Sequence, residues 1–244
     1  RAYPKVDSAP LEILGRRLEG EINTAFERYR TGFGSEVEYR LNQRRAHRTA
    51  KKYLAWLRAR AAKEPFEVIG CEIEADVTLD GVEFRGYIDR VDRDQRSGRV
   101  TVFDYKTGSI ASSALEYRTK INDGREFQLP YYYWAQTVAG ETVRSLALIP
   151  LRDAHLEVDP IELEIVPTAA PPGRSRSERD ATRGVISIDE LERARTAMVE
   201  ISRRLASGTI EQFEATDDPF SCRYCVYAPS CREKPPDDER PFAR

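Results

Sequence analysis

The sequence predicts a mixed α/β fold in which helices flank a central sheet. Two hydrophobic patterns indicate this fold. Apolar residues recur every three or four positions over residues 10–30 and 40–63, as they do on one face of a helix. Residues 66–106 instead alternate with a period of two, which is typical of strands. With 244 residues the chain can bury a sizeable core, and we expect one domain spanning 1–244.

The period-two region predicts a three-strand antiparallel meander. A DG pair at positions 80 and 81 is a hairpin signal, and the run RDQRSG predicts a second turn. The strands that these turns separate are FEVIGCEIEADVTL, VEFRGYIDRVD and RVTVFDYKTG. Further helices are predicted in SSALEYRTK, REFQLPYYYWAQTVAG and 189–206, and further strands in VRSLALIPL and VDPIELEIV. We therefore divide the domain into a helical N-terminal region (1–65), a core that contains the meander (66–167), a flexible polar linker (168–187), and a C-terminal helix with a cysteine segment (188–244).

Composition excludes several classes of protein. The net charge of −2 is not that of a protein that binds nucleic acid through its bulk charge. No apolar run approaches the roughly 18 residues of a membrane span, and no apolar signal segment opens the chain, so we expect a cytoplasmic protein with no membrane partner. The chain begins with Arg1, and we expect it to be a piece of a longer protein.

The stretch VFDYKTGS places two charges inside a predicted strand. Asp104 and Lys106 lie two residues apart and therefore share a face with Val100 and Val102. Burying such a pair costs free energy, so charged residues at these positions suggest a functional role. The ordinary alternative is an ion pair on a solvent-exposed face of the sheet. Here, however, the two charged residues follow apolar residues on the same face of the strand.

Asp89 precedes Asp104 by 15 residues, and the turn between them makes their strands neighbours. Carboxylates from adjacent strands can bind one hard divalent ion such as magnesium, which prefers oxygen ligands and keeps several waters. Lys106 can orient a water held by that ion or help to deprotonate it. The arrangement suits hydrolysis of a phosphodiester.

These residues resemble the PD-(D/E)XK nuclease superfamily, in particular its RecB-like branch. The stretch GYIDRVDRDQRSGRVTVFDYKTGS is similar to the branch's G-x-I-D-R-x-D, turn and D-Y-K-T-G pattern, and FQLPYYYWA is similar to its Q-x-x-x-Y signature. The resemblance implies a restriction-endonuclease-like fold, Mg²⁺ or Mn²⁺ bound by Asp89 and Asp104, and Lys106 as catalytic lysine. It also implies supporting or DNA-contacting roles for Gln128 and Tyr132.

Two helices supply further candidates. The branch often carries a metal-binding histidine four residues after a glycine on its first helix. Here Gly15 is followed by Glu19, whose carboxylate also suits magnesium, although a solvated glutamate would look the same. The second helix carries Arg44, Arg45 and Arg48, our candidates for phosphate contacts; a solvated helix face is the ordinary interpretation of such a run.

Three of the four cysteines, Cys222, Cys225 and Cys231, lie within ten residues. Thiolates at this spacing indicate a metal centre, either zinc or an iron–sulfur cluster. The segment resembles the C-terminal cysteine triplet of AddB-type and CRISPR-associated RecB-like exonucleases, which implies a [4Fe–4S] cluster. The fourth ligand expected before the first helix is absent from residues 1–20, which leaves a lost upstream residue or Cys71. Cys71 is otherwise expected to be a small buried residue of the first strand.

The predicted function is that of a metal-dependent deoxyribonuclease, an exonuclease acting in DNA repair or recombination. Its expected partners are DNA ends, single-stranded or duplex, and a helicase subunit or domain if the chain belongs to a helicase–nuclease. The alternative is a catalytically inactive DNA-binding or scaffold module with the same fold.

Overall fold

The computed structural model describes residues 11–108, 110–151, 158–167 and 184–208. The chain divides into two compact units, Arg1–Glu200 and Ile201–Arg244. All elements described below lie in the first unit, except the final residues of the last helix. In the described portion of the chain, no helix is both long and apolar enough to cross a membrane.

Two helices open the first unit. Helix α1 spans Leu11–Arg28 and helix α2 spans Glu36–Lys63, so both predicted helices are present. Helix α2 begins earlier than the predicted residue 40 because Ser35 caps it, its side chain accepting the backbone N–H of Glu38 at 3.1 Å. Its first turn is acidic, which also favours a start at this point.

Three longer strands form the predicted antiparallel meander. They pair in the order β1-β4-β5, and a separate hairpin, β2 and β3, turns at Asp80 and Gly81, where both residues have positive φ. The five strands are β1 Phe66–Glu74, β2 Val77–Leu79, β3 Val82–Phe84, β4 Tyr87–Asp94 and β5 Val100–Lys106.

The first two strands of the meander are shorter than predicted, because each is interrupted beside helix α4 (Gln128–Val138). Tyr131 of that helix donates its hydroxyl hydrogen to the carbonyl of Ala75 in the gap between β1 and β2. In the gap between β3 and β4, a Cβ on Gly86 would lie 3.0 Å from the Tyr131 ring. Gly86 therefore leaves room for the Tyr131 ring, which occupies the space that a side chain would need.

The second half of the unit completes the sheet and its covering helices. The predicted helices and strands are present, and one short strand, β8, falls on residues 185–187 at the end of the predicted linker. A three-residue strand gives too short a pattern to be recognised from sequence. The remaining elements are α3 Ala114–Asn122, β6 Val143–Pro150, β7 Ile161–Val166, β8 Val185–Ser187 and α5 Ile188–Ala206.

The main sheet has six strands in the order β1-β4-β5-β6-β7-β8. Its pairs are antiparallel except β5 with β6 and β7 with β8, which are parallel. A parallel pair requires a crossover, and α3 and α4 supply the one between β5 and β6. The mixed sheet flanked by helices confirms the predicted fold class.

The sheet is buried on both faces. One face, with Val91, Val102 and Leu146, belongs to the main core that also contains residues of α3, α4 and α5. On the reverse face Phe103 and Ile149 pack with aromatic residues of α2. The site therefore forms where buried strands end, between two layers of helices.

Candidate active site

The β4–β5 hairpin brings Asp89 and Asp104 together. Arg90 pairs with Phe103 and Val91 with Val102, so continuing the register sets Asp89 opposite Asp104 on the main-core face. The turn is held by Asp94, whose Oδ1 accepts the backbone N–H of Ser97 at 2.6 Å. Oδ2 of Asp89 in turn accepts the backbone N–H of Tyr105 at 2.7 Å. The predicted opposition of the two carboxylates is thus built by a local turn.

Asp104 is a buried carboxylate with an incompletely satisfied oxygen. The residue is 2% exposed. Burial raises the pKa of Asp104; Lys106 opposes this effect, while Asp89 and Glu126 add to it. Lys106 Nζ lies 2.8 Å from Oδ2, but the approach lacks hydrogen-bond geometry, so among the described residues this oxygen accepts no hydrogen bond. A buried oxygen in this state is suited to a cation.

Lys106 begins a chain of contacts that runs into helix α4. Its Nζ donates to Oε1 of Gln128 at 2.5 Å, and Nε2 of Gln128 donates to the Tyr132 hydroxyl at 2.8 Å. Because an ammonium group can only donate, the contact with Lys106 fixes the orientation of the Gln128 amide. Gln128 and Tyr132 are one helical turn apart on the same face, as predicted.

Tyr132 also lies in the field of the two aspartates. Burial raises the pKa of Tyr132 to about 12, with Asp104 and Asp89 adding to the effect and the hydrogen bond from Gln128 opposing it. The hydroxyl therefore keeps its proton at neutral pH. It accepts from Gln128 and still has a hydrogen to donate.

Two residues near Asp104 were not predicted from the sequence. Glu126, in the loop before α4, acts electrostatically on both Asp104 and Tyr117. Burial, followed by Glu126 and Asp104, raises the pKa of Tyr117, a core residue of α3. The only sequence signal for Glu126 is its position two residues before Gln128, whereas Tyr117 has the appearance of an ordinary apolar position.

The remaining predicted residues of the helices and strands are solvent-exposed. Glu19 is exposed on α1, and its role as a ligand stays a prediction. The three arginines of α2 are exposed, and Arg45 also lines a cavity beside the end of β5. Cys71 is exposed on β1, so the expectation that it is buried is wrong: it lies where the first strand leaves the core. The three cysteines at 222, 225 and 231 lie outside the described residues.

A buried charge cluster lies behind the site, on the reverse face of the same strands. Arg90, 4% exposed, donates to the two carboxylate oxygens of Asp92 at 2.6 and 2.8 Å. Arg90 also donates to the Tyr53 hydroxyl, and Arg60 of α2 pairs with Asp92. The Tyr53 hydroxyl lies 2.8 Å from that of Tyr105. This cluster joins α2 to both strands that carry the aspartates.

The two aspartates fit a magnesium-type ion. Across the described ranges, no three histidine, cysteine or carboxylate side chains are grouped closely enough to form a metal site by themselves. Mg²⁺, however, is usually held by one or two carboxylates and completes its shell with waters and substrate phosphates. The carboxylate of Asp104, whose Oδ2 accepts no hydrogen bond among the described residues, and the opposed carboxylate of Asp89 meet that requirement.

Comparison with known proteins places the chain among nucleases. A family model described as the PD-(D/E)XK nuclease superfamily matches residues 7–232, a range that contains the whole candidate site. A solved structure titled "Crystal structure of SSO0001" is similar with a TM-score of 0.37 and 15% identity, over 87% of this chain and 82% of that chain. No match was found among curated proteins.

Proposed function

This chain belongs to the PD-(D/E)XK nuclease superfamily, and on that premise we propose that it is a metal-dependent deoxyribonuclease that hydrolyses phosphodiester bonds. The main supporting observation is the continuous set of contacts from the buried carboxylate of Asp104 through Lys106 and Gln128 to Tyr132. A domain kept only for binding would have no use for this costly arrangement.

Each residue has a role that its contacts support. Asp89 and Asp104 would hold Mg²⁺ or Mn²⁺, an ion that polarises a phosphoryl oxygen and lowers the pKa of a bound water. Lys106 has three donor hydrogens; one is directed at Gln128 and the charge is paired with Asp104. The remaining donor capacity can contact a phosphate oxygen or orient the attacking water. Gln128 and Tyr132 hold the lysine in place.

Finer details of the proposal are supported by sequence resemblance. The Q-x-x-x-Y spacing of Gln128 and Tyr132 supports a RecB-like exonuclease that acts on DNA ends in repair or recombination. A cytoplasmic location and a helicase subunit or domain as partner belong to the same proposal.

A [4Fe–4S] cluster is the second cofactor that we propose. The C-x2-C-x5-C spacing of Cys222, Cys225 and Cys231 supports it, with Zn²⁺ as the alternative. The candidate fourth ligand within this chain is Cys71, the remaining cysteine of the sequence.

Nuclease assays on labelled single-stranded and duplex DNA test the central proposal. Asp104→Asn and Lys106→Met should each lower kcat at least about a hundredfold, because the first removes a charged ligand of the proposed metal ion and the second removes a cation beside the reacting phosphate. The matched controls Asp159→Asn and Lys63→Met change exposed residues of the same types and should cleave like the wild type. A chelator should abolish cleavage, and Mg²⁺ or Mn²⁺ should restore it.

Two results would contradict the proposal in different ways. Wild-type rates in both active-site variants would remove these residues from catalysis. A wild-type chain that binds DNA but cleaves none with either metal would establish the alternative, an inactive DNA-binding module of the same fold.

A further inference from the structure

A cavity of about 730 Å³ lies between α1, α2 and the end of β5. Small side chains of α2, Ala46 and Ala50, leave the space open, and the rings of Tyr53 and Tyr105 form an aromatic wall. Arg45 lines the cavity with a cationic side chain. Its volume and its apolar walls with few polar groups are those of a small-ligand site.

The cavity and the candidate active site share the end of strand β5. Tyr105 lies between Asp104 and Lys106 on β5, so its ring points to the opposite face from theirs. Its backbone N–H is donated to Asp89, while its ring lines the cavity. Thr107, which follows Lys106 directly, also lines the cavity. The cavity therefore lies at the end of β5, on the opposite face of that strand from Asp104 and Lys106.

The aromatic wall is held in place before any ligand binds. The rings of Tyr53 and Tyr105 meet edge to face, with centroids 5.9 Å apart and planes at 76°. Their hydroxyls lie 2.8 Å apart and are backed by Arg90. Such a rigid wall can contact a planar ligand without a cost of ordering.

We propose that this cavity holds an unpaired base of the nucleic-acid strand being cut, with Arg45 contacting a phosphate of that strand. The proposal rests on the proposed function and names its substrate class. The positive charge of this surface suits a phosphate backbone, since Arg45 lies with Arg44 and Arg48 on the exposed side of the same helix. A base in a duplex is stacked and paired, so it reaches such a cavity only after leaving the helix. The cavity thus favours single-stranded over duplex substrate.

Filling the cavity tests the proposal. Binding of a labelled oligothymidylate of about 12 nucleotides is measured in chelator, so that affinity is read without cleavage. Ala46→Phe should weaken this binding by about 5- to 150-fold, the loss expected when one stacked base is excluded. Binding of a blunt duplex of equal length should not change. The control Ala55→Phe adds the same ring to an exposed position of α2 and should bind like the wild type.

Three results would overturn the proposal: unchanged affinity in Ala46→Phe, an equal loss for single strand and duplex, or an equal loss in Ala55→Phe. Circular dichroism and thermal melting check that both variants fold. If Ala46→Phe does not fold, a second pair of variants decides the question.

The second pair is Arg45→Gln and Arg58→Gln, both exposed positions of α2, of which only Arg45 lines the cavity. Arg45→Gln should weaken single-strand binding and reduce the slope of log affinity against log salt by about one. Arg58→Gln should leave that slope unchanged. Equal slopes in the wild type and Arg45→Gln would remove Arg45 from the phosphate contact and overturn the proposal.

Failure of the cavity proposal and failure of the proposed function are distinguishable. Binding in chelator does not depend on Asp104 or Lys106 chemistry, so the cavity can be confirmed in a chain that cuts nothing. Conversely, cleavage that requires Asp104 and Lys106 with no effect of Ala46→Phe on binding leaves the nuclease and removes only the base site.

Discussion

Gln128 occupies the middle of a hydrogen-bonded chain that joins α4 to the end of β5. It accepts from Lys106 at 2.5 Å and donates to Tyr132 at 2.8 Å. The carbonyl oxygen and the NH₂ group of the amide are therefore both used. A side chain that can only accept or only donate a hydrogen bond could not replace Gln128. In the proposed function Gln128 acts only through Lys106, so its proposed role is that of a positioning residue.

Substitutions along this chain of contacts should have graded effects. Gln128→Ala should lower kcat by about 10- to 150-fold, since a hydrogen bond to a charged group contributes about 1.5–3 kcal/mol. Tyr132→Phe removes only the outer hydrogen bond and should cost less. Single-turnover kinetics separate kcat from binding, which should change little. A larger loss in Tyr132→Phe than in Gln128→Ala would instead indicate that Tyr132 contacts substrate directly.

Sequence reasoning reached the residues whose positions depend on local geometry. Asp104 and Lys106 share a face because strand residues alternate, and a short turn sets Asp89 opposite Asp104. Glu126 could not be found in this way. Its proximity to Asp104 depends on how the α3–α4 crossover returns to the sheet, which no local pattern specifies.

At the scale of elements, helix α5 begins in a reciprocal cap. Ser187 Oγ accepts the backbone N–H of Glu190 at 3.2 Å, and Oε2 of Glu190 accepts the backbone N–H of Ser187 at 2.9 Å. Glu190 also accepts from Arg118 at 2.7 Å and from Asn122 at 2.7 Å, both on α3. One buried carboxylate thus caps one helix and ties it to another.

Glu190→Gln should lower the free energy of unfolding by about 2–4 kcal/mol at neutral pH, because it weakens a buried charge-paired cap. Burial alone would raise the pKa of Glu190, but the hydrogen bonds from Arg118, Ser187 and Asn122 lower it to about 2. A lowered pKa stabilises the fold above the ordinary value of 4.5 and loses that effect as pH falls toward 2. Urea unfolding at pH 7 and at lower pH should show the difference between wild type and variant shrinking with acid.

The control for this prediction is Glu192→Gln, which removes a partly exposed ion pair with Arg195. It should change stability by less than about 1 kcal/mol. A difference between the wild type and Glu190→Gln that stays constant with pH would contradict the assigned pKa.

Element boundaries were predicted less well than element types. The helices and longer strands follow from periodicity, whereas the breaks at Ala75 and Gly86 depend on Tyr131, which is more than 40 positions away in sequence. Strand β8 pairs only three residues with β7, and its stability comes from that pairing rather than from its own pattern.

At the scale of the whole molecule, the cysteine segment can be tested on the intact chain. Anaerobically purified protein should be coloured and contain about four iron atoms per chain if Cys222, Cys225 and Cys231 bind a [4Fe–4S] cluster. Cys225→Ser should lose the iron, because one of the three proposed ligands is removed. Elemental analysis and visible absorbance measure both.

Colourless protein that contains zinc and no iron would contradict the cluster and support the zinc alternative. Cys71→Ser is the informative companion variant. Loss of iron in it would identify Cys71 as the fourth ligand, and full retention would place that ligand elsewhere.

The mixed fold was predictable because alternating helical and strand periods restrict the arrangement of layers. The order of strands was not, since the parallel pairing of β5 with β6 joins residues more than 40 positions apart, such as Asp104 and Leu148. The cavity beside Tyr105 could not be predicted for the same reason. It forms only where α1 and α2 meet β5, which is distant from them in sequence.

The charge cluster behind the site has a consequence for strand alignment. On β4 a carboxylate, Asp89, faces the reacting side and a cation, Arg90, faces the reverse side. If β4 slipped by one residue against β5, every side chain would change face. Arg90 would then be displaced into the site, and Asp89 would be buried without its partner. The cluster therefore penalises misaligned pairings from both sides of the sheet at once, and the alignment that sets Asp89 opposite Asp104 is also the one in which these charges are matched.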